Sequence, residues 1–144
     1  MMEYRIPMDI VPIEDEGYHL FVRARLMGVE LTLVLDTGAS MTLFDKSRLL
    51  EKMGREAVGL EGSGRMSVGL GTRSMPSEVT GLLTLELHGL IVENYRGGVL
   101  ELSHINESYD TLGMPGIDGV LGNDLLVRYH ARIDYGEGIL VLQE

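Results

Sequence analysis

Residues 33–40 of the chain read Leu-Val-Leu-Asp-Thr-Gly-Ala-Ser. An apolar run leads directly into Asp36, and a carboxylate at the end of such a run is costly to desolvate unless it is paired or hydrogen-bonded. Gly38 allows a sharp turn, so neighbouring backbone N–H groups can reach this carboxylate. The pattern is typical of a functional carboxylate, but an Asx-type turn that ends a strand uses the same residues. The segment alone leaves both interpretations open.

The residues that lead up to Asp36 predict a β-hairpin. Val29–Leu35 has leucines at alternate positions 31, 33 and 35, which share one face of a strand. Val34 breaks this alternation and predicts that the end of the strand is buried on both faces. Tyr18–Met27 is a second apolar run, and Gly28 lies between the two as the turn.

Nineteen glycines punctuate short apolar runs along the whole chain, which predicts an all-β fold. Further strands are predicted at Val79–His88, Leu90–Tyr95, Gly98–Leu102, Ile117–Leu121, Ala131–Tyr135 and Ile139–Leu142. Two short helices are predicted, at Asp45–Met53 and at Asn123–Tyr129, with Asn123 as the candidate N-cap. Residues 1–17, which include Pro7 and Pro12, predict an extended and partly loose N-terminal arm, followed by one domain at residues 18–144.

Composition excludes several classes of function. The chain has 144 residues, with 12 basic and 22 acidic side chains and a formal net charge of −10, which argues against nucleic-acid binding. It has no cysteine, and its four histidines show no paired metal-ligand spacing, so we expect no metal and no cofactor. No apolar run reaches the roughly 18 residues of a membrane span and no signal peptide is visible, so we expect a cytoplasmic protein without a membrane partner.

A second informative segment, residues 117–126, reads Ile-Asp-Gly-Val-Leu-Gly-Asn-Asp-Leu-Leu. With it, the sequence resembles the retropepsin family and its bacterial single-domain relatives. Three elements of that family occur here in order: LVLDTGAS at 33–40, GLEGSGRM at 59–66 and GVLGNDLL at 119–126. The stretch ARIDYGEGILVL at 131–142 fits the closing hairpin of the family. The resemblance covers about residues 18–142.

The resemblance implies a closed, barrel-like half of the acid-protease fold, with a glycine-rich flap hairpin and one or two short helices. Asp36 would be the catalytic aspartate, and Thr37 would join two active-site loops across a dimer axis. Gly38 would lie under the substrate backbone, while Ala39 and Ser40 would line the cleft.

The other two motifs also receive roles from the resemblance. Within the glycine-dense segment Gly59–Arg73, a mobile flap would have Gly62, Ser63 and Gly64 near its tip, against the substrate. Val120, Leu121 and Gly122 would form the strand behind the catalytic loop. Asn123 is a departure, because retroviral members usually have at this position an arginine that helps to join the subunits.

The implied chemistry requires two carboxylates that share one proton, and the chain has one Asp-Thr-Gly. Asp118-Gly119 lacks the intervening Thr or Ser, and Asp134 falls in the predicted closing hairpin. A two-fold axis would place Asp36 beside its own copy. The resemblance therefore implies an aspartic endopeptidase that cleaves peptides or proteins as a homodimer. Two alternatives stay open, a hydrolytically silent peptide-binding or oligomerisation module and a small all-β ligand-binding domain.

Overall fold

The computed structural model of the chain describes residues 1–15, 17–67 and 75–144, and within them not the side chains of 63–67 and 75–77. The strands in these residues are β1 Glu3–Pro7, β2 Asp9–Pro12, β3 Tyr18–Leu26, β4 Val29–Leu35, β5 Leu43–Asp45, β6 Glu61–Ser67, β7 Met75–Val79, β8 Leu83–Leu87, β9 Leu90–Tyr95, β10 Gly98–Leu100, β11 Gly119–Leu121, β12 Arg132–Asp134 and β13 Ile139–Gln143. The helices are α1 Lys46–Met53, α2 Arg55–Val58, α3 Ser103–Thr111 and α4 Asn123–Arg128.

The predicted all-β fold is confirmed. One curled sheet has the strand order β6-β7-β10-β5-β11-β4-β3-β8-β9, with β2 added to β3, and a smaller sheet has the order β1-β13-β12. Strand β4 lies between β3, its antiparallel hairpin partner, and β11, which runs parallel to it. The parallel register pairs Leu33 with Gly119 and Leu35 with Leu121, so the ends of β4 and β11 lie side by side.

Two apolar clusters cover the two faces of β3 and β4. Leu31, Leu33 and Leu35 belong to the larger cluster. Phe21 belongs to a second cluster, against which Val34 packs. Because side chains alternate between the faces of a strand, the strand that leads to Asp36 is covered on both sides, as Val34 predicts.

The two predicted helices are present, but the described residues contain four. The N-cap of α1 is Asp45, whose carboxylate accepts from the Arg48 N–H, whereas α4 is capped by Gly122 and not by Asn123. The sequence analysis missed α2 and α3. A helical signal was nevertheless present in the sequence of α3. The residues there that belong to or pack against the second apolar cluster recur at spacings of three to four: Leu102, Ile105, Tyr109 and Leu112.

The predicted strand Val79–His88 is wrong at its start. Val79 ends β7 and Leu83 begins β8. Between them, the Thr80 N–H donates to the Gly97 carbonyl at 2.9 Å and the Gly81 N–H donates to the Val58 carbonyl at 2.9 Å. The two N–H groups thus donate to the loop between β9 and β10 and to the end of α2. They are not paired in a strand ladder, so the strand is interrupted there.

The N-terminal arm is extended, as predicted, but residues 1–15 are not loose. Strand β1 pairs antiparallel with β13, and β2 pairs antiparallel with β3. Ile6 is fully buried, and Met8 and Ile13 are nearly so. The two ends of the chain therefore form one small sheet within the chain.

The described part of the glycine-dense segment includes β6, which pairs antiparallel with β7 from Glu61 with Val79 to Ser67 with Met75. The intervening residues 68–74 fall outside the described residues. Gly62 pairs with Glu78, one pair from the open end of the hairpin. Gly62, Ser63 and Gly64 thus lie in the first half of β6, contrary to the expectation that they lie near the tip.

No helix in the described residues is long and apolar enough to cross a membrane.

Candidate active site

Asp36 follows the last residue of β4 and is exposed. Its backbone N–H donates to the Leu121 carbonyl at 3.1 Å, which ties it to the end of β11. Its Oδ1 accepts from the Gly38 N–H at 2.8 Å, and its carbonyl accepts from the Ala39 N–H at 3.2 Å. The predicted contact between the carboxylate and a neighbouring backbone N–H is confirmed, and the carboxylate is held at the surface of the fold.

Two glycines of this loop have little room for a side chain. A Cβ on Gly38 would lie 3.2 Å from Asp36 Oδ1, and one on Gly122 would lie 2.5 Å from the Met41 carbonyl oxygen and 3.0 Å from that of Ala39. A side chain at residue 122 would therefore push the loop away from the end of β11. Gly122 therefore allows the loop after β4 to pack directly against the end of β11.

Asn123 fastens the same loop from the other side. Its side-chain amide donates to the Thr37 carbonyl at 2.7 Å, and its backbone N–H donates to the Ala39 carbonyl at 2.9 Å. Both bonds end on the loop that begins at Asp36. The residue that departs from the family pattern is thus a support of the Asp-Thr-Gly turn within its own chain.

A hydrogen-bonded network behind the loop was missed by sequence reasoning. The backbone N–H and the hydroxyl of Thr42 both donate to Asp124 Oδ1, at 2.8 and 2.7 Å. The hydroxyl oxygen of Thr42 also accepts from the Gly122 N–H at 3.0 Å. Tyr95 donates to Asp124 Oδ2 at 3.0 Å, and burial and the Asp124 carboxylate raise the pKa of this phenol, which keeps it a donor. The loop and the start of α4 are therefore held together as one unit.

The other predicted site residues fall into two groups. Thr37 and Ser40 are exposed and Ala39 is partly buried, all on the loop after Asp36. No hydrogen bond of the Thr37 hydroxyl is found among the described residues. Gly62–Gly64 lie on β6, which four strands separate from β4 in the sheet order, and no hydrogen bond in the described part of the chain joins these residues to the loop.

Asp118, considered above as a second carboxylate, is used elsewhere. It is completely buried and accepts from Arg48 Nε at 2.9 Å, from Lys52 Nζ at 2.7 Å and from the Thr32 N–H at 2.8 Å. Burial raises the pKa of this carboxyl, but these hydrogen bonds outweigh burial and leave the pKa below its ordinary value. Thr32 precedes Asp36 by four residues, about 13 Å along a strand, so the ion cluster of Asp118 lies beside the middle of β4, away from Asp36.

Among the described residues, no group of three His, Cys, Asp or Glu side chains could hold a metal ion.

The model of one protein family, described as "Aspartyl protease", matches residues 22–125. This match begins within β3 and includes β4, the Asp-Thr-Gly loop, β6, β7 and the start of α4. A search of curated proteins found no match.

Three solved structures are similar to the chain over most of its length. A retropepsin-like aspartic protease from Rickettsia conorii has 22% identity and a TM-score of 0.61, over 98% of this chain and 89% of that one. The retroviral protease-like domain of Ddi1 from Leishmania major has 20% identity and a TM-score of 0.58, over 86% and 87%. The protease of EIAV, solved with the inhibitor HBY-793, has 18% identity and a TM-score of 0.54, over 79% and 90%. At these identities the likeness shows a shared retropepsin-like fold.

Proposed function

The chain belongs to the aspartyl protease family, and from that premise we propose that it is an aspartic endopeptidase in which Asp36 from each of two identical chains activates water. The observation that carries the proposal is the exposed Asp36 carboxylate at the joined ends of β4 and β11, held by the Gly38 N–H at 2.8 Å. An exposed carboxylate on a rigid support is free to meet a second carboxylate and a water molecule.

The two carboxylates divide the chemistry between them. One is ionised and takes a proton from the water that attacks the scissile carbonyl, while the other is protonated and donates to the carbonyl oxygen. The tetrahedral intermediate then collapses, the C–N bond breaks, and the leaving nitrogen receives a proton. Two carboxylates at close range share one proton because both cannot ionise easily, and they titrate as a pair.

A single copy of the chain supplies half of this pair. Asp118 is bound to Arg48 and Lys52 inside the fold, so it does not serve as the partner of Asp36. Asp36 and Thr37 are both exposed on the same turn. A two-fold axis through this turn would bring the two carboxylates together and would give the Thr37 hydroxyl a partner in the second copy.

The remaining site residues receive their roles from the same arrangement. Gly38, Ala39 and Ser40 would contact the substrate backbone beside Asp36. The β6–β7 hairpin would cover the substrate, with Gly62–Gly64 exposing backbone groups to it. The substrate is thus a peptide or an unfolded segment of a protein that can lie extended along the cleft.

Replacement of Asp36 by Asn tests the proposal. The purified wild-type protein is incubated with a mixture of oligopeptides at acidic pH, and the products are identified by mass spectrometry. We expect Asp36→Asn to lower cleavage by at least about 100-fold without a change in fold, while Asp15→Asn, an exposed carboxylate in the loop before β3, has no effect. A wild-type protein that neither cleaves any peptide nor binds a statine-type inhibitor, a mimic of the tetrahedral intermediate, would overturn the proposal in favour of a silent peptide-binding module.

A further inference from the structure

The connection between β9 and β10 contacts both the base of the β6–β7 hairpin and the support of the Asp36 loop. Tyr95 is the last residue of β9 and Gly98 is the first residue of β10. Residues 95–98 are called the linking segment below. Its contacts with the hairpin and with the loop are made by neighbouring residues of the chain, so a displacement at one end is passed to the other.

The linking segment is attached to both strands of the hairpin at the open end. Arg96 Nη1 forms an ion pair with Oε2 of Glu61, the first residue of β6, at 2.8 Å. The Gly97 carbonyl accepts from the N–H of Thr80, the residue after β7, at 2.9 Å, and the Gly97 N–H donates to the Thr80 hydroxyl at 3.1 Å. Thr80 and Gly97 are buried, so this pair of hydrogen bonds is the firmer attachment, whereas the ion pair is exposed and contributes little.

The other end of the linking segment reaches the support of the Asp36 loop. The Tyr95 hydroxyl donates to Asp124 Oδ2 at 3.0 Å, and the Tyr95 side chain is only 8% exposed. The other oxygen of Asp124 accepts both bonds from Thr42, the last residue of the loop before β5. Asp124 is therefore a bridge between the linking segment and the end of the Asp36 loop.

Packing also presses the linking segment against the strand that follows the loop. Strand β10 pairs parallel with β5, and the register sets Gly98 beside Leu43. A Cβ on Gly97 would overlap the ring of Phe44, which is fully buried, and a Cβ on Gly98 would lie 2.7 Å from Leu43 Cδ2. Because this interior leaves no room, β5 has to share any shift of the linking segment.

We propose that Tyr95 is a positioning residue of the candidate active site, and that it couples the β6–β7 hairpin to the loop of Asp36. The inference rests on the proposed function, in which the hairpin covers the substrate and Asp36 activates water. The coupling runs through the linking segment, from Thr80 at the hairpin to Asp124 at the loop. A hairpin that is held by a bound peptide thereby holds the loop in the position for reaction.

Replacement of Tyr95 by Phe removes the hydroxyl and keeps the packed ring. A hydrogen bond to a carboxylate is stronger than a neutral one, so we expect kcat to fall by about tenfold, with KM changed by less than about twofold. Active sites are counted by titration with a tight statine-type inhibitor, so a loss of folded protein does not enter kcat. The control Tyr18→Phe removes the same hydroxyl from a side chain that is 68% exposed and should change neither constant. An unchanged kcat in Tyr95→Phe would overturn the proposal.

Two substitutions of Asp124 separate the bridge from its charge. In Asp124→Asn the carbonyl oxygen still accepts from Thr42 and the amide can donate to the Tyr95 oxygen, so the bridge is kept. Asp124→Ala removes the bridge. We expect kcat to stay within about threefold of the wild type in Asp124→Asn and to fall by at least about tenfold in Asp124→Ala. Equal losses in the two variants would contradict the bridge.

A double-mutant cycle tests whether the hairpin acts through Tyr95. Thr80→Val removes the hydroxyl that accepts from Gly97 and contacts neither the Asp36 loop nor α4 in the described residues. We expect Thr80→Val to lower kcat by about threefold in the wild type and to have no further effect in Tyr95→Phe. Losses that multiply in the double variant would show that the two residues act independently, and would overturn the coupling.

Hydrogen exchange provides a measurement that does not depend on activity. The amides of Asp36 and Asn123 both hydrogen-bond within the site, and NMR follows their exchange in the wild type and in Tyr95→Phe. We expect both to exchange about five- to tenfold faster in the variant, while the amides of β13, in the separate small sheet, do not change. Unchanged exchange of both amides in an active peptidase would overturn this inference alone. Faster exchange in a protein that cleaves no peptide would overturn the proposed function and support the coupling.

Discussion

The side-chain amide of Asn123 donates a 2.7 Å hydrogen bond to the backbone carbonyl of Thr37. Retroviral members of the family usually carry an arginine at this position, which helps to join the subunits. In this chain the residue is the first of α4 and is bound to the loop of its own subunit, through this bond and through the bond of its N–H to the Ala39 carbonyl. Asn123 therefore supports the turn of its own chain.

Asn123→Ala should therefore lower kcat more than it raises KM. The bond of the main-chain N–H survives, but the Thr37 carbonyl loses its side-chain donor and the turn is less firmly placed. A hydrogen bond of this kind is worth about 1 kcal/mol, so we expect a decrease in kcat of about fivefold. Steady-state kinetics measure it, at a protein concentration that saturates assembly.

The matched control for Asn123→Ala is Val127→Ala, one turn later on the exposed side of α4, where the side chain is 73% exposed. It removes a side chain from the same helix without touching the loop. An equal loss of kcat in both variants, or an unchanged kcat in Asn123→Ala, would contradict a role for the bond to Thr37.

Local patterns were sufficient for the strand that carries the candidate site. The alternating leucines of β4 fixed its face and its bounds, and the break at Val34 predicted the second apolar cover. Asp36 and Gly38 are neighbours in the sequence, so their hydrogen bond follows from turn chemistry alone. These features depend on residues that are close together in the chain.

The features that were missed depend on residues that are far apart. The contact between His19 and Tyr109 joins residues 90 positions apart, and that between Thr42 and Asp124 joins residues 82 apart. Helix α3 had a local signal in its apolar spacing, but the bond of the Leu102 N–H before it to Asp45, a residue of β5, had none. The sequence offers no local signal for such pairs, because they are created by packing.

Asp118 should stabilise the fold in a pH-dependent manner. Its pKa in the folded state lies below its ordinary value, so its contribution is complete above the unfolded pKa, about 3.9, and is lost as the pH falls through the folded pKa. We expect Asp118→Asn to lower the free energy of unfolding at neutral pH by about 2–3 kcal/mol, because two ion pairs are lost. The loss is no larger because Arg48 and Lys52 are partly exposed and can be hydrated by water instead.

Urea unfolding at several pH values measures this loss. The difference between wild type and Asp118→Asn should shrink below about pH 4, and Asp110→Asn, an exposed carboxylate, should change stability by less than about 0.5 kcal/mol. A loss for Asp118→Asn that is as small as that of the control would mean that the buried ion cluster contributes nothing.

The β6–β7 hairpin should be protected by a bound peptide. If Gly62–Gly64 present backbone groups to the substrate, a statine-type peptide inhibitor should slow hydrogen exchange of the amides in β6 and β7. The β8–β9 hairpin of the same sheet is the internal control and should not change. Identical exchange in β6 and β7 with and without inhibitor, at saturating inhibitor, would rule out a covering role.

Peptidase activity should be highest on the acidic side of neutrality. The reaction requires one shared proton between two carboxylates, so kcat/KM should decline as the second carboxylate ionises. The depressed pKa of Asp118 helps to preserve the fold in that range. A profile from about pH 3 to about pH 9 measures it, and a rate that rises through neutral pH to an alkaline plateau would point to another mechanism.

Dimerisation should be weak in this protein. Retropepsin-like dimers commonly knit their chain ends together, and the corresponding ends here are Met2–Ile6 and Ile139–Gln143. In the structure β1 pairs with β13 of the same chain, and ion pairs such as Arg132 with Glu3 reinforce this sheet. The ends are therefore already paired, and a second chain must add to their outer edges or exchange β1.

The active species should nevertheless be the dimer, and specific activity should rise with protein concentration. The chain offers Asp36 as one carboxylate, while Asp118 is bound to two cations inside the fold. A net charge of −10 on each copy opposes association and is only partly screened at physiological salt, so acidification and added salt should both favour the dimer. Sedimentation velocity and cleavage rates are measured on the same dilution series, and the two curves should have the same midpoint. A monomer in dilute solution fits this scheme if it is inactive. Constant activity per chain at concentrations far below the association midpoint would show that one chain suffices, and the second carboxylate would then have to come from within it.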